Sequence, residues 1–179
     1  AVSSGERQTG YITPAFTINF GVIDILSTTV MVAMFPLLSR YFNSDTPQMF
    51  GFLVEKLARF MLILALPITL VLSIFSDEVI AFIFRSGEFE PTGGILRILI
   101  WYTLLAIVAS VFSQALLTQN RQRITLLVRG ASLLLNIALN TILLLHFRDP
   151  RAAAMASVGA EALALLLLVR AFRAEGFSL

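Results

Sequence analysis

Residues 95–118 read ILRILIWYTLLAIVASVFSQALLT, with Arg97 the one charged side chain in the run. As an α-helix this stretch would be about 36 Å long at 1.5 Å per residue, enough to cross the roughly 30 Å hydrocarbon core of a bilayer. Four further apolar blocks of comparable length lie around it, at 11–38, 58–76, 124–147 and 152–172. The pattern predicts an all-α fold, a polytopic transmembrane helical bundle of about five spans in a single transmembrane domain covering 1–179.

Composition points the same way. Hydrophobic residues make up 58% of the 179 and charged residues 13%, and the apolar load comes in bilayer-length blocks, which argues against a soluble domain. The net charge of +2 assigns the basic residues to loops near lipid headgroups. No basic patch interleaved with aromatics is present, so no nucleic-acid partner is expected. The chain has no cysteine and one histidine, His146. Thiolate chemistry and multi-histidine metal clusters are thereby excluded, and neither a metal nor a cofactor is expected. The first ten residues are polar, with no secretory signal visible, and the absence of an initial Met suggests a piece of a longer protein.

Between the blocks, Pro36 and the polar pair Ser39-Arg40 close the first span. Thr46 before Pro47 reads as an N-cap ahead of a first-turn proline, opening an amphipathic turn that runs into the second span, where Pro67 is expected to kink the helix. Ser76-Asp77-Glu78 reads as the start of a short interfacial helix over 79–84. Ser86-Gly87 and Pro91-Thr92-Gly93-Gly94 are expected to break the chain, and Asp149-Pro150 to turn it between the last two spans. On alternate sides of the five-span arrangement, eight of the 13 Lys and Arg fall on one side, which identifies it as the cytoplasm. The chain is then expected to enter the membrane from outside and finish inside.

Four spans carry polar residues at helical spacing. In the first these are Thr13, Thr17, Asp24 and Thr28; in the third, Thr103, Ser110, Gln114 and Thr118. The fourth carries Arg129, Ser132, Asn136 and Asn140, and the fifth Ser157 and Glu161. The second, with Thr69 and Ser73, is nearly bare and is expected to face lipid. Asp or Arg at a helix centre costs about 2.5–3.5 kcal/mol to insert, so Asp24 and Glu161 should face protein or water. Counted from the span ends, Asp24, Asn136 and Glu161 fall at similar depth and would form one midplane polar layer if their faces converge. Such a layer could be a hydrated cavity or ion relay, or it could be interhelical hydrogen bonding that holds the bundle together. Arg129, nearer the cytoplasmic end, reads either as a side chain snorkelling to headgroups or as an anchor for phosphate. Ala152, Ala156, Ala160 and Ala164 form a small-residue ridge that permits close helix approach.

Several local patterns, taken in order, resemble the multidrug/oligosaccharidyl-lipid/polysaccharide flippase superfamily, and its oligosaccharide flippases in particular. Phe35-Pro36-Leu37-Leu38-Ser39-Arg40 is similar to the ending of the second helix of each half of those transporters. Leu96 to Trp101 resembles the start of a later helix, and Gln114 followed by Asn120-Arg121-Gln122-Arg123 resembles its cytoplasmic exit. Asn136 and Asn140 match a paired Asn in the next helix, and Ala153 to Ser157 with Glu161 resembles the last helix of a half. The sequence departs from the pattern at Asp149-Pro150-Arg151-Ala152, where a Gly-containing turn is usual. Phe84 to Phe89 is similar to the lipid II flippase branch.

The resemblance implies a multi-pass protein of the inner (cytoplasmic) membrane that acts with the missing remainder of the transporter. It would move a polyprenyl-diphosphate-linked oligosaccharide across the membrane by alternating access. Lipid-linked oligosaccharide and membrane lipids are the implied partners, and Asp24, Gln114, Arg129, Asn136, Asn140 and Glu161 the candidate substrate or ion pathway. A lipid II flippase or a cation-coupled multidrug exporter, the latter resting on Asp24 and Glu161, stands beside this reading. A membrane-embedded glycosyl or phosphoryl transferase would need a catalytic pair of acids, which the short loops do not offer. A noncatalytic membrane scaffold is the remaining class.

Overall fold

A computed structural model describes residues 4–43, 47–84, 90–147, 149 and 151–174. Its described elements are helical throughout: α1 (Ser4–Ile23), a π-helical turn (Asp24–Thr28), α2 (Thr29–Phe42), α3 (Pro47–Ile74), α4 (Ser76–Phe84), α5 (Glu90–Thr118), α6 (Gln122–Phe147) and α7 (Arg151–Ala174). By length and composition four stretches are able to cross a membrane: Gln48–Ile74, Thr92–Thr118, Gln122–Leu143 and Arg151–Ala174. A shorter apolar stretch, Thr13–Leu26, lies in α1 and the π turn. The 11–38 block therefore lies in one helical run, but the run widens at Asp24, a change of register for which the sequence carries no cue.

The central element is α5, which touches α1, α2, α3, α4 and α7, while α6 rests mainly on α7. The α3–α5 seam is filled by Phe50, Val54, Leu57, Met61 and Ala65 against Leu104, Ile107, Val111 and Phe112. Lipid tails are as apolar as these side chains, so close packing holds this seam. Phe172 of α7 closes one end of it, edge-on to Phe112 with ring centroids 5.7 Å apart and 6.3 Å from Phe50. The alanine ridge Ala152, Ala156, Ala160 and Ala164 is buried along its whole length, which lets α7 lie close to both α5 and α6.

Several sequence readings meet their structural answer here. Helix α3 begins at Pro47 and runs without interruption through Pro67 to Ile74, and α4 begins at Ser76 with Asp77 and Glu78 in its first turn. Thr46, Ser86 and Gly87 lie outside the described residues.

Residues Pro91 to Gly94, by contrast, do not break the chain but form the first turns of α5. A proline in a first turn forfeits no hydrogen bond, and the glycines serve proximity. A Cβ on Gly93 would stand 3.0 Å from the Asp77 Cα, and one on Gly94 2.7 Å from Arg151 Nη2. Arg97 adds a clamp between α5 and α4, donating to Asp77 Oδ2 at 2.6 Å and to Ser76 Oγ at 3.3 Å.

The α5–α6 turn is closed by Asn120 at φ 58°, with Arg121 N donating to Leu116 O at 2.8 Å and Asn120 N to Leu117 O at 3.0 Å. This is the left-handed helix stop for which Asn is a common choice after Gly. Asp149 makes the expected last turn, accepting from the backbone N–H of Arg151 at 2.9 Å through Oδ1 and of Ala152 at 3.0 Å through its carbonyl.

The bare second span was expected to face lipid, and only 22% of its helix window is buried; α6, at 6%, is turned outward further still. The polar stripe of α6 is narrow, so a single neighbour seals it, and Leu126, Leu127, Leu133, Leu134 and Ile137 are left facing outward.

Candidate functional site

The polar stripe of α6 lies against α7 in antiparallel register, so residue numbers fall on one helix as they rise on the other. Arg129 Nη1 donates to Glu161 Oε1 at 2.6 Å. One turn on, Ser132 Oγ donates to the carbonyl of Ala160 at 3.0 Å. Asn136 Nδ2 then donates to Ser157 Oγ at 3.1 Å, and Asn140 Nδ2 to Asn136 Oδ1 at 2.8 Å. The Ser157 hydroxyl itself donates to Ala153 O at 3.0 Å. The small side chains of α7 bring the helices close enough for side chain to reach backbone, and the stripe supplies the donors.

These residues line a cavity of about 440 Å³, completed by Tyr102 of α5 and Phe16 of α1. The ion pair in its wall is asymmetric, since the Glu161 side chain is 4% exposed and that of Arg129 is 37% exposed. The carboxylate is buried with its counter-charge, while the guanidinium keeps an open side. Arg129 Nη2 reaches Ser113 Oγ at 3.4 Å, a long contact that leaves the outer edge of the fork weakly engaged. Among the described residues no three His, Asp or Glu side chains gather as a metal ion would need.

Four of the six pathway candidates, Arg129, Asn136, Asn140 and Glu161, therefore meet in one cavity. The other two do not line it. Asp24 is exposed in the π turn, and the layer in which it was to join Asn136 and Glu161 forms without it, with Arg129 in its place. Depth along a helix gives a level but no direction around the axis, and the faces of α1 and α6 do not converge. Gln114 is half-buried on α5, and its backbone carbonyl accepts from Thr118 Oγ1 at 2.9 Å.

Sequence reading passed over Tyr102, Ser113, Phe16 and Asn19. The first two stand on a face of α5 with buried Ala106 and Ala109 between them. That run of small residues flanked by polar ones was the available signal. Asn19 is fully buried on the α5 side of α1, where its Oδ1 accepts from Thr103 Oγ1.

Membrane-length helices packed around a polar cavity with a charge pair in its wall make this a multi-pass membrane protein with a polar interior. A family model described as MatE matches residues 7–142, and the chain belongs to the MatE family. Members of that family are transporters of the multidrug/oligosaccharidyl-lipid/polysaccharide flippase superfamily. The matched residues include Arg129, Asn136 and Asn140, while Ser157 and Glu161 follow them. Neither a curated protein nor a solved structure matches the chain.

Proposed function

We propose that the chain is part of a flippase for polyprenyl-diphosphate-linked oligosaccharides in the cytoplasmic membrane, and that Arg129 contacts the diphosphate. In this reading the chain crosses the bilayer five times, 11–38 being the first crossing, and enters from outside. The substrate moves by alternating access together with the remainder of the transporter.

The observation that carries the reading is the open edge of the Arg129 guanidinium at the cavity wall. Phosphate oxygens match a guanidinium fork, and Glu161 occupies one arm of it. The pair is neutral as a unit, so the buried carboxylate is offset where a diphosphate would arrive. A cation-coupled exporter would rest on Asp24 and Glu161. Glu161 is held by an arginine and Asp24 does not line the cavity, which favours the anionic substrate.

The test is a flipping assay with the full-length transporter at equal expression. Arg129→Lys keeps the charge and loses the fork, and it should impair transport; Arg129→Ala should impair it further. The expected loss for Ala is about ten- to a hundredfold, the worth of one charge-assisted contact of about 1.5–3 kcal/mol. Transport unchanged in the Ala variant would leave Arg129 as no more than the partner of Glu161.

A further inference from the structure

Two aromatic rings line the cavity beside its polar row, Phe16 of α1 and Tyr102 of α5. Helix α1 packs on α5 and α6 on α7, so the rings come from one pair of helices and Arg129, Asn136 and Glu161 from the other. Both rings are only half-buried, and both rest against the buried cluster that includes Ala15, Leu96, Leu99 and Ala154. Asn19 and Thr103, fully buried and hydrogen-bonded to each other, tie α1 to α5 close by, three residues after Phe16 and one after Tyr102. Phe16 is also stacked on Phe20, with ring centroids 5.7 Å apart. The rings are thus held in place before a ligand arrives, which lowers the cost of binding one. The Tyr102 hydroxyl has no hydrogen-bond partner among the described residues, although it stands within electrostatic reach of Glu161 and Arg129. A phenol O–H away from bulk water usually finds a partner, and the cavity that Tyr102 lines is where one can enter.

We infer that Phe16 and Tyr102 form the stacking wall of a subsite for the sugar ring next to the diphosphate, and that the Tyr102 hydroxyl hydrogen-bonds to that sugar. A pyranose is amphipathic, since its C–H groups make an apolar face and its hydroxyls point outward around the edge. Such a ring needs an aromatic surface together with donors and acceptors, and this cavity of about 440 Å³ brings both together at a size usual for small-molecule pockets. The face of an aromatic ring carries the negative side of its quadrupole, which favours C–H groups and disfavours phosphate oxygens. The diphosphate is thereby left to Arg129 and the sugar to the rings. A bare hydrocarbon or a simple anion would use only half of such a site. The inference rests on the reading of the cavity as a lipid-linked oligosaccharide site and adds which residues read the sugar.

The experiment is equilibrium binding to the full-length transporter in detergent, with a polyprenyl diphosphate bearing a disaccharide and the bare polyprenyl diphosphate as probes. The wild-type protein should bind the first more tightly. Phe16→Leu keeps apolar bulk and loses the ring, and it should weaken the disaccharide-bearing probe about three- to tenfold and leave the bare lipid unchanged. Tyr102→Phe keeps the ring and loses the hydroxyl, and it should weaken the same probe about fivefold, the worth of one neutral hydrogen bond. Retained binding of the bare lipid also reports an intact fold, and Tyr102→Phe, being nearly isosteric, serves where the Leu variant does not fold. Equal affinity of the wild-type protein for the two lipids, or no selective weakening by either variant, would overturn the subsite. So would binding of tetraphenylphosphonium that depends on the two rings while the disaccharide-bearing lipid is indifferent to them, since the wall would then serve lipophilic cations. If the wild-type protein binds neither lipid, the diphosphate reading has failed by itself, and the free disaccharide becomes the probe. Binding that depends on Phe16 and Tyr102 then upholds the subsite, and no such binding overturns it.

Discussion

Helices α1 and α6 carry polar stripes that read alike along the chain, yet they end in different places. Thr13 and Thr17 of α1 and Asp24 and Thr28 of the π turn are all exposed, whereas Ser132 is buried and Arg129, Asn136 and Asn140 are half-buried against α7. Helix α1 turns Ala15 and Asn19 to α5 and leaves its threonines outside. Helix α6 does the reverse, leaving its leucines outside and turning its polar face to α7 and the cavity. The neighbour makes the difference. The alanine ridge of α7 lets another helix approach, and the Ala160 carbonyl, the Ser157 hydroxyl and the Glu161 carboxylate then meet donors of the stripe laid against it. Periodicity along one helix shows that a face exists, and the neighbouring helix determines what that face meets.

The comparison can be broken most forcefully at Glu161. Glu161→Leu would strip Arg129 of its partner, and because the guanidinium keeps an open side the cost should fall below the about 3–5 kcal/mol of breaking a fully buried pair. Replacing both, Glu161→Leu with Arg129→Met, should recover most of that loss because no uncompensated charge remains. Denaturant titration of the two variants in detergent decides the matter. If the double variant were as unstable as the single one, the seam would depend on side-chain shape at these positions and not on charge.

A smaller effect is expected one step along the stripe. Asn136→Ala removes two ladder contacts, and interhelical hydrogen bonds in membranes average about 0.6 kcal/mol, reaching about 1.7. Its unfolding midpoint should fall by an amount in keeping with that range, well short of the Glu161→Leu effect. A loss as large as that of Glu161→Leu would mean that the amide row, and not the ion pair, holds α6 to α7.

The smallest effect belongs to α1. Asp24 is exposed with no ion pair to lose among the described residues, so Asp24→Asn should leave the thermal midpoint of the protein unchanged. The same variant in the flipping assay sharpens the comparison. Normal transport would confine the pathway to the α6 stripe, while lost transport at unchanged stability would join the two faces in function.

Much of this arrangement was legible before any fold was seen, for reasons that differ from element to element. The blocks at 95–118, 124–147 and 152–172 are helices because only an α-helix satisfies every backbone group across an apolar layer of that thickness. Asp149 marks its turn through chemistry local to the chain, an Asp oxygen accepting a nearby backbone N–H, whereas the positive φ of Asn120 was not read from the sequence. The site was half legible, since Arg129, Asn136, Asn140 and Glu161 stand on polar stripes that any periodic reading finds. Tyr102 and Ser113 were passed over because their face of α5 is mostly alanine. The glycines at 93 and 94 misled, because proximity to Asp77 and Arg151 is a property of packing and leaves no local mark.

By itself the sequence determined the helices, their apolar lengths, the small-residue ridge and which polar residues share a face. These follow from the period of the helix and from the cost of polar backbone in hydrocarbon, both local in origin. Only the tertiary structure decided that Arg129 meets Glu161, that Asp24 stands outside the cavity, and that Asn136 meets Ser157. Those outcomes depend on how each helix is rotated against its neighbours. Rotation is set by the fit of side chains from distant parts of the chain, which no one helix specifies.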